Sequence, residues 1–330
     1  MQFEIEDKYE VEDISSHPSV QKLIQHSVGF ENGFIRVNPP GFVYLSETEK
    51  YLDRLRKFEV REDDIWICTF PKCGTTWTQE MVWCLMNNLD FKTSKTVDLD
   101  ERMIFFEQIS IEKEASAENF PDTILLAAEQ QSPRIIKTHL PFTMLPDQIR
   151  TRQKTPKIIN VSRNSRDVCV SLYHHWKLLE GFSGGFDMWS QMFLEGYSGY
   201  YSPFWKHMES YYQSKYENII FLKYEDMKED LNSKINVVSK FIGFKTYSEE
   251  EKTQLEQHLS VKNFKSCATL NKAKLIEHME NIGSSKPEGS VGFVRKGIVG
   301  DWVNYFSDDM AAKFAEKDVE LMQSTSCTGP

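Results

Sequence analysis

Four short apolar segments, each followed at once by a residue suited to binding or catalysis, constrain the fold of this chain more than any other feature. They lie at residues 65–70, 134–138, 157–161 and 218–222 and are rich in Ile and other apolar residues. Nearly continuous β-branched runs of this length are typical of strands buried on both faces of a parallel sheet. Apolar residues at helical spacing follow the first and third runs, which predicts βαβ units. We therefore expect an α/β fold of three layers, with a central parallel sheet flanked by helices.

The residues that follow these runs are Lys72, His139, Arg163 and Tyr224. The carboxyl ends of parallel strands share one edge of the sheet, which is the edge where ligands bind. Side chains from four distant segments are thus predicted to meet in one crevice. The chain has 39 Lys and Arg against 49 Asp and Glu, a net charge of −10, which argues against non-specific nucleic-acid binding. Cations that converge in an acidic protein instead indicate a specific anionic ligand.

Residues 70–77, Phe-Pro-Lys-Cys-Gly-Thr-Thr-Trp, join the first predicted strand to a helix. The unpaired backbone N–H groups of a helix N-terminus bind anions, Gly74 permits a tight turn and Lys72 adds a positive charge. The fold is therefore expected to be P-loop-like. The loop of nucleotide triphosphatases requires a Gly-Lys pair, which the chain lacks, so a nucleotide kinase is disfavoured. On this segment alone, an ordinary strand-to-helix turn remains an alternative.

Five blocks in order resemble the motifs of the cytosolic sulfotransferases and span roughly residues 60–305. They are residues 70–77, Lys-Thr-His-Leu-Pro at 137–141, Arg-Asn-x-x-Asp-Val-x-x-Ser at 163–171, Tyr-Glu-Asp-Met at 224–227, and Phe-Val-Arg-Lys-Gly at 293–297 with Gly-Asp-Trp at 300–302. The resemblance implies transfer of the sulfuryl group of 3′-phosphoadenosine 5′-phosphosulfate (PAPS) to an acceptor, with release of the 3′,5′-bisphosphate (PAP). An alternative is an enzyme resembling retinol dehydratase, which then eliminates the sulfate.

The resemblance also implies the residues that bind PAPS. The loop at 72–77 matches the 5′ site, and Arg163, Ser171 and residues 295–297 match the 3′-phosphate site. Trp77, Tyr224 and Phe264 match the adenine contacts. The full set of expected donor-binding residues is Lys72, Cys73, Gly74, Thr75, Thr76, Trp77, Arg163, Ser171, Tyr224, Ser260, Phe264, Phe293, Arg295, Lys296 and Gly297.

The expected catalytic residues are His139, Lys72 and Lys137. An imidazole titrates near neutrality, so His139 can accept the proton of the acceptor as its oxygen attacks sulfur. The two lysines can neutralise charge on the transferring and leaving groups, and no metal is expected. A non-catalytic carrier of apolar ligands is a further alternative, but it would give His139 and Lys137 no purpose.

Aromatic residues make up 13% of the chain, and some are expected to bind a small apolar hydroxyl acceptor such as a phenol, alcohol, steroid or retinoid. The expected acceptor-binding residues are Phe70, Phe105, Phe106, Phe142 and His139. Residues 181–205 combine aromatic residues with glycines, which indicates either a mobile wall over the acceptor or a packed helix and turn.

Residues 46–330 are expected to form a single sulfotransferase domain, and residues 1–45 an N-terminal extension long enough to reach over the acceptor site. The chain has no apolar run of membrane-spanning length and no basic, apolar start, so we expect a cytoplasmic protein without a membrane partner. The usual dimer motif of the family is not matched, which leaves a homodimer open. The positions that depart from it are Val303, Ser307, Asp308 and Ala312.

Overall fold

A computed structural model describes residues 8–112, 120–273, 276–277 and 292–325. Its strands form a five-stranded parallel sheet, in the order β5-β6-β4-β7-β8, and a three-stranded antiparallel sheet, β1-β2-β3. The strands are β1 (Glu10–Asp13), β2 (Phe34–Asn38), β3 (Phe42–Leu45), β4 (Ile65–Thr69), β5 (Ile104–Phe105), β6 (Ile135–Thr138), β7 (Lys157–Ser162) and β8 (Ile219–Lys223).

The parallel sheet confirms the predicted α/β fold. The four predicted strands are β4, β6, β7 and β8, and each pairs in parallel with its neighbour. The short strand β5 pairs with β6, with Phe105 in register with Lys137. Because β5 contains two residues, its sequence carries no hydrophobic period from which it could be predicted.

Helices cover the sheet and connect its strands. The α-helices are α1 (Pro18–Gln25), α2 (Leu52–Arg56), α3 (Thr75–Met86), α4 (Phe91–Thr96), α5 (Leu99–Arg102), α6 (Thr123–Glu129), α7 (Asp147–Arg150), α8 (Ser165–Leu179), α9 (Phe186–Glu195), α10 (Phe204–Tyr212), α11 (Tyr224–Glu229), α12 (Leu231–Ile242), α13 (Glu249–His258), α14 (Val261–Ser266) and α15 (Asp308–Thr325). Short 3-10 helices occur at Ser46–Tyr51, Gln108–Ile111, Phe142–Met144 and Asp301–Asn304. Within the described ranges, every helix is too short or too polar to cross a bilayer.

Two hydrophobic clusters lie on opposite faces of the parallel sheet. Along β4, Trp66 belongs to one cluster, whereas Ile65 and Ile67 belong to the other. This alternation follows from the two-residue period of a strand. Helix α8 contributes Trp176 to the first cluster and α3 contributes Met81 to the second, so the sheet is the middle of three layers.

The N-terminal segment packs into the first of these clusters. Phe34 and Phe42, from the antiparallel sheet, are fully buried in it. The backbone of Val43 also accepts a hydrogen bond from the N–H of Tyr201 (2.8 Å) and donates one to the carbonyl of Ser202 (2.9 Å). The expected boundary at residue 45 therefore does not coincide with a break in the hydrophobic core.

Candidate active site

The carboxyl ends of the parallel strands open onto a cavity of about 580 Å³. Its wall includes Lys72 after β4, His139 after β6, Arg163 after β7 and Tyr224 at the end of β8. The structure thus brings together the four side chains that the strand-end argument places in one crevice. Most of the expected donor-binding residues line the same cavity, namely Lys72, Gly74, Thr75, Thr76, Trp77, Arg163, Ser171, Tyr224, Phe264, Phe293, Arg295, Lys296 and Gly297.

The loop between β4 and α3 is shaped by a left-handed glycine. Gly74 has φ +105°, and a Cβ atom built there would lie 2.9 Å from Cδ2 of the Tyr224 ring. Glycine is therefore required both by the backbone conformation and by the close approach of Tyr224. Thr75 and Thr76 follow as the first residues of α3, where backbone N–H groups have no partner within the helix. These groups border the cavity and can bind an anion.

Arg163 contacts three segments of the cavity wall. Its guanidinium donates hydrogen bonds to the carbonyl oxygens of Lys72 (3.2 Å) and Ile298 (3.3 Å) and lies 4.3 Å from the ring centroid of Tyr224. The remaining donor, Nε, is buried and has no hydrogen-bond partner within the described residues. The guanidinium thus lies at the cavity wall with two of its N–H groups bonded to backbone oxygens.

Arg295 and Lys296 are held by the buried carboxylate of Asp301. Asp301 accepts hydrogen bonds from the guanidinium of Arg295 and from Lys296 Nζ (2.7 Å). Burial opposes the ionised form of Asp301, but these hydrogen bonds lower its pKa to about 2. The loop itself is fixed because the N–H of Gly300 donates to Asp167 Oδ2 (2.7 Å). Both cations are thereby positioned at the cavity wall before a ligand binds.

Lys72 and Lys137 lie in surroundings where positive charge outweighs negative charge, and their pKa values are lowered. Burial and the nearby cations Arg163 and Arg295 lower the pKa of Lys72 to about 7, and burial and Lys272 lower that of Lys137 to about 7. A polyanionic ligand would reverse both shifts, because an opposite charge favours the protonated amine. This charge imbalance fits the phosphates and sulfate of PAPS.

His139 has one nitrogen available to accept a proton. Its Nδ1 lies 2.7 Å from the carbonyl oxygen of Thr69, which can only accept a hydrogen bond, so Nδ1 carries the ring proton and Nε2 has a free lone pair. Burial and the charge of Lys137 hold the pKa of His139 well below its usual range, so the imidazole is neutral. The backbone of His139 is fixed on both sides, by Glu107 Oε1 (2.6 Å from N) and by His207 Nε2 (2.9 Å from O).

Aromatic side chains form the side of the cavity that is expected to hold the acceptor. Phe105 lies against the ammonium group of Lys137, with 3.2 Å between Nζ and the ring centroid, and the Tyr201 ring centroid is 5.5 Å from that of His139. The other residues of this wall are Gln108, Ile111, Glu112, Phe120, Leu172, Trp176, Leu179, Glu180 and Tyr200. The wall is thus mainly apolar, with a few polar groups.

Three expected acceptor-binding residues lie in the core instead. Phe106 packs on Trp66, with ring centroids 5.3 Å apart, because adjacent strand residues face opposite sides and Phe105 occupies the cavity side. Phe70 packs against Phe204 (5.1 Å) and Phe142 against Tyr211 (5.8 Å). The structure therefore corrects the assignment of Phe70, Phe106 and Phe142 to the acceptor pocket.

Two expected donor-binding side chains also lie outside the cavity wall. Cys73 is fully buried, its N–H donates to the Phe70 carbonyl (3.3 Å), and burial raises the pKa of its thiol. Ser260 Oγ instead caps α14 by accepting a hydrogen bond from the N–H of Asn263 (3.3 Å). The segment around Ser260 still borders the cavity through Leu259, Val261 and Phe264.

Comparisons with known proteins identify the family. Residues 62–326 match the family model described as a sulfotransferase domain. The chain belongs to the sulfotransferase family. It is 35% identical over 277 residues to luciferin sulfotransferase of Photinus pyralis (81% of this chain, 74% of the relative). It is 32% identical over 289 residues to sulfotransferase 1E1 of Homo sapiens (87% and 92%).

The fold of this sulfotransferase resembles a crystal structure of retinol dehydratase in complex with androsterone and inactive cofactor PAP. The TM-score is 0.84 at 26% identity, and the match covers 98% of each chain. Together with the family match, this confirms the predicted enzyme class, a sulfotransferase.

Sequence reasoning missed several polar residues that line the cavity of the sulfotransferase. Lys72 Nζ lies 3.4 Å from Nδ1 of His175, which follows Ser171 by one helical turn, so the helical period could have identified it. Lys272 donates to Asp100 Oδ1 (2.5 Å), and both line the cavity. These two residues are 172 positions apart, and no local pattern connects them.

A buried group of potential metal ligands lies behind the donor site. Glu80, Cys84 and His258 place their ligand atoms within 4.8 Å of one another. Glu80 already accepts hydrogen bonds from Arg102 (2.7 Å) and contacts His258 Nε2 (2.7 Å), so a guanidinium neutralises the carboxylate that a metal would need. The network instead fixes α13 on α3, next to the hydrogen bond from Trp77 Nε1 to the carbonyl of Leu259 (2.9 Å).

Proposed function

We propose that this sulfotransferase uses His139 as the general base of sulfuryl transfer. The single observation that carries the proposal is the 2.7 Å contact between Nδ1 and the carbonyl of Thr69, which leaves the lone pair of Nε2 for the proton of the acceptor hydroxyl. The neutral state of the buried imidazole supports the same role, because a protonated ring could not accept that proton.

The two lysines of the cavity complete the proposed chemistry. When bound, PAPS supplies the sulfuryl group. Lys72 and Lys137 would neutralise the negative charge that develops on the sulfuryl and leaving phosphate oxygens, which is the role that a metal ion has in phosphoryl transfer. We therefore propose transfer without a metal.

The positive groups of the cavity are the basis for assigning the residues that bind PAPS. We propose that the N–H groups at the start of α3, with Lys72, bind the 5′ end of PAPS, and that Arg163, Arg295 and Lys296 bind its 3′-phosphate. The position of these three cations on one wall of the cavity supports this assignment. Trp77, Tyr224 and Phe264 offer aromatic surface for the adenine at the same wall.

The acceptor is proposed to be a small apolar phenol or alcohol that binds between His139 and the aromatic wall. The N-terminal segment would support this wall from behind: Phe30 stacks on Trp176 (5.3 Å between centroids) and Tyr44 packs against Tyr201 (5.5 Å). Among residues 8–45, none lines the cavity itself. We also propose a cytoplasmic location, supported by the free thiols of the described cysteines.

The test compares His139→Ala with Arg295→Ala. With radiolabelled PAPS and a panel of phenols, alcohols, steroids and retinoids, His139→Ala should lose about 10²–10⁴-fold in kcat while binding PAP with wild-type affinity. Arg295→Ala should weaken PAP binding instead. Equal turnover by His139→Ala and wild type would remove the base assignment.

A second candidate function is elimination of the sulfate after transfer. The observation that favours it is the match to retinol dehydratase over 98% of both chains. Product mass distinguishes the two outcomes. A sulfated product retains the label of PAPS, whereas elimination gives an alkene and free labelled sulfate.

A further inference from the structure

His175 places a second imidazole at the cavity wall, in addition to that of His139. It lies on α8 one helical turn after Ser171, just beyond the sequence block that resembles a family motif. Its Nδ1 is 3.4 Å from Nζ of Lys72, which is within hydrogen-bond distance. The proposed chemistry uses Lys72 but gives His175 no role, so the contact between the two side chains requires an explanation.

The ammonium group of Lys72 has a second neighbour, the ring of Phe293. Nζ lies 4.3 Å from the ring centroid, a distance at which the face of an aromatic ring attracts a cation. The rings of Phe293 and His175 meet edge to face, with 5.8 Å between their centroids. Two segments that are far apart in the sequence, α8 and the segment before Arg295, therefore meet at one ammonium group.

The backbone of Lys72 is fixed as well. Its φ is +72°, in the left-handed region that residues other than glycine rarely adopt. Its carbonyl oxygen accepts a hydrogen bond from the guanidinium of Arg163 (3.2 Å). Residues with such backbone conformations cluster at functional sites, where the surrounding structure holds them in place. The side chain of Lys72 is thus restrained at both of its ends.

The imidazole of His175 is suited to accept a hydrogen bond from Lys72. An ammonium group can only donate, so the contact assigns the lone pair to Nδ1 and the ring proton to Nε2. Burial and the charges of Lys72 and Lys137 hold the pKa of His175 well below its usual range, so the ring is neutral and keeps this lone pair. A neutral ring also adds no positive charge beside the two lysines.

We propose that His175 is a positioning residue for sulfuryl transfer: with Phe293, its imidazole holds the ammonium group of Lys72 at the place where PAPS binds and reacts. A lysine side chain is long and flexible, and without such contacts it would have to be ordered when the ligand binds. The proposal deepens the proposed function and rests on the role of Lys72 given there.

The experiment is a double-mutant cycle between His175 and Lys72. It compares the wild type, His175→Leu, Lys72→Met and the double variant by calorimetric titration with PAP and by kcat for transfer from PAPS to a phenol. His175→Leu should weaken PAP binding about threefold to tenfold and lower kcat about tenfold. In the Lys72→Met background, the same substitution should change PAP affinity by less than about twofold, because the group that His175 positions is absent.

Two further variants distinguish the hydrogen bond from packing. Asparagine carries an oxygen on Cγ, where histidine carries Nδ1, so His175→Asn should keep PAP affinity and kcat within about threefold of the wild type. The matched control is His174→Leu, because the neighbouring His174 lies outside the cavity wall and its Nε2 contacts the hydroxyl of Tyr305 (2.9 Å). This control should keep wild-type PAP affinity and kcat.

An equal loss of PAP affinity from His175→Leu in both backgrounds would show that His175 acts independently of Lys72 and would overturn the proposal. Equal losses in His175→Asn and His175→Leu would overturn it too, because the hydrogen bond would then have no effect. If His175→Leu does not fold, His175→Ala takes its place in the cycle. The titrations with PAP need no turnover. A wild type that binds PAP without transferring sulfate would therefore refute the proposed function, and the cycle would still decide whether His175 positions Lys72.

Discussion

The two ends of the cavity are built on different principles. At the donor end, charged side chains are fixed by hydrogen bonds to backbone and to buried acids, as Arg163 is by two carbonyl oxygens and Arg295 by Asp301. At the proposed acceptor end, the wall includes packed rings such as Trp176 and Tyr200, whose centroids are 5.5 Å apart. A site for an anion requires hydrogen-bond donors held in fixed positions, whereas an apolar pocket requires a surface whose shape matches the ligand.

Because of this difference, short sequence motifs identify one end of the cavity and not the other. Residues of the proposed donor end occur in short blocks, such as residues 72–77 and 295–297. Residues of the acceptor end come from β5, α8 and the segment at Tyr200, and their side chains meet only through tertiary packing.

The largest effect is expected from the pair Phe106→Ala and Phe105→Ala. Phe106 is fully buried between Phe58 and Trp66, so its truncation should reduce the free energy of unfolding by about 3–5 kcal/mol. Phe105 lines the cavity, so its truncation should cost less stability and raise the acceptor KM. Urea unfolding and initial rates measure the two quantities. A larger rise in acceptor KM for Phe106→Ala than for Phe105→Ala would contradict the placement of these rings.

A smaller effect, on ligand affinity, is expected at the donor end. Arg163→Ala removes a charged donor of the anion site and should weaken PAP binding by about 10–100-fold, as expected for hydrogen bonds to a charged group. Arg163→Lys retains the charge but not the planar guanidinium that reaches both carbonyl oxygens. Its affinity for PAP should therefore lie between those of the wild type and Arg163→Ala. Calorimetric titration with PAP gives all three values. Wild-type affinity in Arg163→Lys would show that charge alone matters.

The fold and the donor end were largely predictable, and the acceptor end was not. Strands β4, β6 and β7 are apolar runs and are largely buried, whereas β8 is equally apolar but only partly buried because it lies at the edge of the sheet. Phe105 and Phe106 are both aromatic, and only the register of β5 against β6 decides which of them faces the cavity. Asp100 and Lys272 meet through the tertiary fold, which no residue spacing can indicate.

The smallest expected effect is the number of protons that the protein takes up when a ligand binds, which should differ between the two ends of the cavity. In the PAP-free protein, Lys72 and Lys137 have pKa values of about 7, so at pH 8 both amines are mostly neutral, whereas at pH 6 both are protonated. A bound anion raises these pKa values. PAP binding should therefore take up about one to two protons at pH 8, where the phosphates of PAP are already ionised. The uptake is the slope of the calorimetric binding enthalpy against the ionisation enthalpy of the buffer.

An apolar acceptor analogue is the control, because it brings no charge and should give a slope near zero at both values of pH. Lys137→Met should halve the uptake caused by PAP, and proton release at pH 8 would refute the assignment of the excess positive charge to the donor end.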